Sequence, residues 1–61
     1  MKKGKFYSKK LCKYINYSFD GHWLVWNYNF CCERAWEYPD QTELTAKNIY
    51  EEINWLEKYA M

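Results

Sequence analysis

The fold is decided by residues 10–31, KLCKYINYSFDGHWLVWNYNFC, in which two runs rich in aromatic and β-branched residues flank an Asp-Gly pair. Asp20 and Gly21 tolerate the positive φ angles of a two-residue type I′ turn, so the segment predicts a β-hairpin closed at these residues. A turn at this point sets the strand register, because the numbers of paired residues must then sum to 41. Cys12 should accordingly lie opposite Asn29.

Side chains alternate across a strand, and the predicted hairpin therefore separates an apolar face from a mostly polar one. The apolar face comprises Leu11, Ile15, Tyr17, Phe19, Leu24, Trp26, Tyr28 and Phe30. The outer face carries two aromatic residues, Tyr14 and Trp23. The turn and the two faces are inferred independently, and their agreement favours the hairpin.

The C-terminal segment predicts an amphipathic helix. Thr45 is a suitable N-cap, and Leu44 before it can pack against Ile49 one turn into the helix. Apolar residues then recur at helical spacing on one stripe, which should cover the apolar face of the hairpin. The stripe comprises Ala46, Ile49, Ile53, Leu56 and Ala60. We expect a core built from Leu11, Ile15, Leu24, Trp26, Ile53 and Leu56.

The connection between hairpin and helix allows two interpretations. Ala35–Tyr38 is either a short third strand ended by Pro39 or an irregular connection, and the strand is favoured because a lone hairpin is marginal in water. The sequence therefore predicts an α+β fold, a single ββ(β)α domain over residues 1–61 in which an antiparallel hairpin packs against one C-terminal helix.

Aromatic residues are unusually abundant for so short a chain. Trp, Tyr and Phe account for 14 of 61 residues, and each ring can bury roughly 150–250 Å². A core of this size cannot enclose all of them, so some should be exposed. Exposed Trp and Tyr are typical of binding surfaces.

Charge is distributed unevenly although its formal sum is only +1. Residues 1–14 contain six lysines and no acid, whereas residues 33–61 contain seven acids and three cations. No run approaches the ~18 apolar residues of a membrane span, and no apolar signal segment follows Met1. An odd number of cysteines also argues against a secreted disulfide framework, so we expect a cytoplasmic protein.

The sequence offers little for catalysis, and we expect no enzyme. There is one histidine, His22, and no glycine-rich phosphate loop. Zinc is the more serious chemical hypothesis, with Cys12, Cys31 and Cys32 as ligands. His22 could join them only if the hairpin has a different register or if a second copy of the chain supplies it. The spacing of the cysteines is poor for such a site, and free cysteines are the favoured interpretation.

Nucleic-acid binding is one functional hypothesis. Lys9, Lys10 and Lys13 alternate with tyrosines near the start of the hairpin, and could place ammonium groups on phosphates while rings stack on bases. The near-zero net charge argues against it, since nucleic-acid-binding domains are usually strongly basic.

Protein binding accounts for more of the exposed aromatic residues. Trp55 and Tyr59 lie off the buried stripe of the helix, with Glu52 on the same flank. Together with Trp23 and Tyr14 on the outer sheet face, these residues are the candidate partner-binding set. Whether the chain forms a homodimer is left open.

The hairpin at Phe19–His22, the aromatic run Trp23–Phe30 and the helix over Leu44–Ala60 give a profile that resembles the small phage-encoded anti-CRISPR proteins. Codon-related composition agrees, because residues with A/T-rich codons number 28 and those with G/C-rich codons number seven. The resemblance implies a non-enzymatic inhibitor that binds a host defence protein. Together with the A/T-rich composition, the resemblance implies a type II CRISPR effector nuclease as the target, whose target-DNA loading or cleavage would be blocked.

Overall fold

The computed structural model describes residues 1–60, which form a four-stranded antiparallel sheet with one C-terminal helix. The strands follow one another in the order β1 (Lys2–Ser8), β2 (Lys13–Phe19), β3 (Trp23–Tyr28) and β4 (Cys31–Glu37). Helix α1 (Ala46–Trp55) continues into a π-helical turn (Leu56–Ala60). The predicted α+β class is confirmed, and β4 confirms the third strand; Met61, the last residue of the predicted domain, lies outside the described residues.

Strand β1 has no counterpart among the predicted elements. The lysines of β1 make its alternating pattern hard to recognise in the sequence. Gly4, Phe6 and Ser8 lie on the side of the helix, whereas Lys3 and Lys5 are exposed. Gly4 lies opposite Tyr17, and a Cβ at Gly4 would lie 2.6 Å from the Tyr17 hydroxyl oxygen. The missing side chain is therefore what allows the tyrosine ring to cover this strand.

The register predicted for the hairpin is wrong by two residues. Phe19 pairs with Leu24 and Ile15 with Tyr28, so that paired numbers sum to 43. The longer loop arises because the Asp20 carboxylate accepts hydrogen bonds from the backbone N–H groups of His22 (2.9 Å) and Trp23 (2.7 Å).

A shift of two residues keeps every side chain on its predicted face, since side chains alternate with a period of two. The shift does remove Cys12 from β2. This residue lies in the β1–β2 turn with φ 56° and has no partner near Asn29, contrary to the prediction.

The core confirms most of the expected residues. The buried hydrophobic side chains are Ile15, Phe19, Leu24, Trp26, Ile49, Ile53 and Leu56. Leu11 packs only against the margin of this cluster. Phe30 is 84% exposed rather than buried, because the β3–β4 turn places it at φ 65° beyond the end of the strand.

The start of the helix is as predicted. Thr45 Oγ1 accepts from the Asn48 N–H at 3.1 Å, and Asn48 Oδ1 accepts from the Thr45 N–H at 3.2 Å, which completes a reciprocal capping box. Leu44 packs against the core, whereas Ala46 and Ala60 are exposed and lie outside the buried stripe.

Trp26 connects the sheet to the end of the helix. Its side chain is fully buried, and its indole N–H donates to Glu57 Oε2 at 3.3 Å. The same carboxylate oxygen lies 2.8 Å from Nε of Arg34 on β4. This three-residue network, which we call the Trp26 network, links β3, β4 and the π-helical turn.

We expect Trp26→Ala to cost about 3–5 kcal/mol of unfolding free energy, which is the usual effect of emptying a buried tryptophan site. So small a domain would then be largely unfolded. Trp26→Phe, which keeps much of the apolar volume, should remain folded with a lowered melting temperature. The matched control is Trp23→Ala on the same strand but the opposite face; a melt in which Trp23→Ala costs as much as Trp26→Ala would contradict the assigned faces.

Candidate functional site

Trp55 and Tyr59 form an exposed aromatic pair on the helix. The two side chains are 55% and 64% exposed, and their ring centroids are 5.6 Å apart with the planes tilted by 44°. Tyr59 lies in the π-helical turn, a conformation that is frequent at functional sites. Their predicted exposure is therefore confirmed.

A shallow concavity surrounds this pair. Its lining comprises Lys10, Tyr50, Glu51, Asn54, Trp55, Lys58 and Tyr59. We call this the helix aromatic surface. Lys10 and Lys58 contribute positive charge beside the rings, and the Lys58 ammonium lies 5.5 Å from the Tyr59 ring centroid.

A buried polar contact brings the β1–β2 turn to this surface. Ser8 is fully buried, and its hydroxyl donates to the side-chain oxygen of Asn54, which is 5% exposed. Ser8 Oγ in turn accepts from the Leu11 N–H at 3.1 Å, and the Asn54 amide donates to the Tyr50 carbonyl at 2.7 Å. These bonds satisfy the buried polar groups and hold Lys10 next to Trp55. The sequence did not predict the contact between Ser8 and Asn54. The only signal was Asn54 itself, a polar residue next to Ile53 of the apolar stripe.

Glu52 does not line the helix aromatic surface. Its carboxylate accepts a hydrogen bond of 2.5 Å from the Tyr38 hydroxyl, which ties the helix to the segment after β4. Glu51 is the acid that lies beside Trp55 and Tyr59. Glu52, which the sequence predicted to contact a partner, is thus hydrogen-bonded within the domain instead.

Tyr14 and Trp23 lie on the outer sheet face, away from the helix. Tyr14 is 61% exposed and contacts Tyr7 with ring centroids 5.0 Å apart. Trp23 packs beside His22 at the opposite end of the sheet, about 20 Å along the strands at ordinary strand rise. The candidate partner-binding residues therefore belong to separate surfaces and cannot act as one patch.

The predicted lysines are also divided. Lys9 and Lys10 lie in the β1–β2 turn, whereas the Lys13 ammonium lies 4.1 Å from the centroid of the Tyr28 ring. Within residues 1–60, no carboxylate lies within salt-bridge distance of a lysine ammonium.

The three cysteines do not form a common site. The Cys12 thiol donates to the Lys9 carbonyl and the Cys31 thiol to the Tyr28 carbonyl, and all three cysteines are exposed. In the part of the chain that the structure describes, no three His, Cys, Asp or Glu side chains gather as metal ligands. The Cys32 thiol, by hydrogen bonding, raises the pKa of Cys31, which disfavours a reactive thiolate.

His22 is engaged at the surface. Its Nε2 lies 2.8 Å from Glu37 Oε2 on β4, and the pair joins the β2–β3 loop to the edge of the sheet.

No protein-family model, curated protein or solved structure matches this chain. Across residues 1–60, none of the helical segments has the length and apolar character needed to cross a membrane.

The Tyr38–Glu52 contact makes the stability of the fold sensitive to high pH. Burial, followed by the hydrogen bond to Glu52, raises the pKa of Tyr38 above its usual value. The folded state then holds the phenolic proton more tightly than the unfolded chain, whose tyrosines titrate near pH 10. The stabilisation is therefore complete below about pH 10 and is lost as pH rises toward the folded-state pKa.

We expect the unfolding free energy of the native chain, measured by urea titration, to begin to fall at about pH 10 and to continue falling as the pH is raised further. Tyr38→Phe should show a shallower fall, and Tyr14→Phe is the matched control for loss of an exposed hydroxyl. Equal slopes for the native chain and Tyr38→Phe would contradict the assigned contact.

Proposed function

We propose that this chain is a small non-enzymatic binding protein that engages a partner protein through the helix aromatic surface. The observation that carries the proposal is the exposed Trp55–Tyr59 pair, which lies outside a core already closed by seven other side chains. Packing does not require these two rings. Trp and Tyr are the residues most enriched among those that dominate binding energy.

The setting of the pair supports a protein partner. Trp55 is the last residue of α1, and Tyr59 lies in the π-helical turn that continues it. The helix is capped at Thr45 and held to β1 by the Ser8–Asn54 contact, so little ordering is needed on binding. Lys10, Lys58 and Glu51 flank the rings, so that two lysines outnumber one acid in this lining. A complementary surface would offer an apolar pocket with acidic groups at its rim.

The proposed partner is a host defence protein in the host cytosol, namely a type II CRISPR effector nuclease. The support is the resemblance to anti-CRISPR proteins in size, compact α+β architecture and A/T-rich composition. On this proposal the chain binds one effector stoichiometrically, and the complex cannot load or cleave target DNA.

The direct test is a DNA-cleavage titration against a panel of guide-loaded type II effectors from low-GC bacteria. Trp55→Ala and Tyr59→Ala should each weaken binding by about 2 kcal/mol, or roughly 30-fold, and raise the inhibitory concentration accordingly. Both variants should melt like the native protein, because neither ring belongs to the core.

Trp23→Ala is the matched control, since it removes an exposed tryptophan from the other face of the domain. It should inhibit as well as the native chain. If the native chain inhibits and both helix variants inhibit equally well, the helix aromatic surface is not the binding site. If the native chain inhibits none of the panel, the proposed target class is wrong.

A further inference from the structure

The helix covers only one face of the sheet, and the other face is open along β1 and β2. On this face β1 places Lys3, Lys5 and Tyr7, opposite Ser18, Asn16 and Tyr14 of β2. We call Lys3, Lys5, Tyr7, Tyr14 and Asn16 the outer tract. The outer tract lies across the sheet from the hydrophobic core, and none of its side chains is needed to close that core.

Two rings in the outer tract are available for stacking. Tyr7 and Tyr14 are directly paired across the strands and meet edge to face, with an interplanar angle of 66°. Both are exposed. An exposed tyrosine on a rigid strand offers a flat surface on which a nucleic-acid base can stack without regard to sequence.

Positive charge lies directly beside the rings. The Lys5 ammonium lies 5.6 Å from the centroid of the Tyr14 ring, and Lys3 is two residues further along the same edge strand. Lys9 follows at the β1–β2 turn. Lysines at this spacing can neutralise successive phosphates of an extended strand.

The acidic groups of the outer face lie on its far side. Glu37 is on β4, the opposite edge of the sheet, and its carboxylate is paired with His22. The small net charge of the whole chain therefore conceals a local segregation, in which the β1 edge is basic. A near-zero net charge is therefore compatible with nucleic-acid binding at the β1 edge.

A hydrogen-bonding group completes the outer tract. The Asn16 amide donates to Asn27 Oδ1 only over a long 3.4 Å, and both side chains are half-buried in the row beside the tyrosine pair. Such an amide can exchange this weak contact for one to a base edge.

We propose that the outer tract, together with Lys9 in the adjoining β1–β2 turn, binds single-stranded nucleic acid. Lys3, Lys5 and Lys9 contact phosphates, and Tyr7 and Tyr14 stack on bases. The charge and the planar rings together match a chain of alternating phosphates and bases better than they match a protein surface. This activity is additional to the proposed protein-binding function and uses the opposite side of the domain. The lysine set differs from the predicted one, because Lys13 lies over Tyr28 and Lys10 lies beside the helix aromatic surface.

The test is fluorescence anisotropy of labelled 12-nucleotide single-stranded DNA and RNA, titrated with the full chain at several salt concentrations. We expect a dissociation constant within the usual non-specific range of about 1–100 µM at physiological salt. Lys3→Ala combined with Lys5→Ala should weaken binding at least ten-fold and reduce the salt slope by about 1.4, the value for two contacts to a single strand.

Ring and charge variants separate the two contributions. Tyr14→Ala should weaken binding at least five-fold without changing the salt slope, whereas Tyr14→Phe, which keeps the ring, should bind like the native chain. The matched charge control is Lys47→Ala combined with Lys58→Ala, which removes two exposed lysines from the helix and should have less than a two-fold effect.

Failure of this proposal is distinguishable from failure of the proposed function, because Trp55→Ala should leave oligonucleotide binding unchanged while weakening the protein complex. The proposal is overturned if the native chain shows no binding at about 1 mM, ten-fold beyond the weak end of the non-specific range. It is also overturned if the helix lysine control loses as much affinity as the outer-tract variant, since net charge alone would then explain the binding. A melt of each variant confirms that it is folded.

Discussion

The indole of Trp26 is buried between the sheet and the helix, and its N–H must find a hydrogen-bond acceptor there. The acceptor is Glu57, whose side chain is only 7% exposed and is itself paired with Arg34 at 2.8 Å. A buried carboxylate without such partners would be strongly destabilising. The need to pair the Trp26 indole and the Glu57 carboxylate therefore fixes the position of the end of the helix against β3 and β4.

The position of the helix determines what the surface of the domain can do. With Ile49, Ile53 and Leu56 turned into the core, Trp55 and Tyr59 must face outward on a rigid element. Because one helix can cover only one face of a four-stranded sheet, the outer tract on β1 and β2 is also left open. Two chemically distinct surfaces thus follow from a single packing arrangement, one aromatic with flanking lysines and one basic with paired tyrosines.

The sequence predicted the features that depend on local periodicity. The faces of β2 and β3 were correct, even with the wrong register, because a shift of two residues preserves alternation. The Thr45 cap and the central part of the buried stripe, Ile49, Ile53 and Leu56, were also correct, since both depend on residues close together in the chain.

Features that depend on distant residues were not predictable. Strand β1 packs at Gly4 against a tyrosine 13 residues away. The wider hairpin loop has a local cause instead, because Asp20 accepts hydrogen bonds from backbone amides two and three residues further on, and the Asp-Gly pair alone does not reveal this. The Ser8–Asn54 and Tyr38–Glu52 contacts join residues 46 and 14 positions apart, and they decide which charges surround the exposed rings. The site residues were thus identified singly, while their grouping into surfaces required the three-dimensional arrangement.

The most direct test of this account is a double-mutant cycle between Trp26 and Glu57. Unfolding free energies of the native chain, Trp26→Phe, Glu57→Ala and the double variant are measured by urea titration at neutral pH. If the indole–carboxylate contact joins the helix to the sheet, the two substitutions should be coupled by about 0.5 kcal/mol or more. Effects that add to within about 0.3 kcal/mol would show that the two side chains act independently, and would contradict the account.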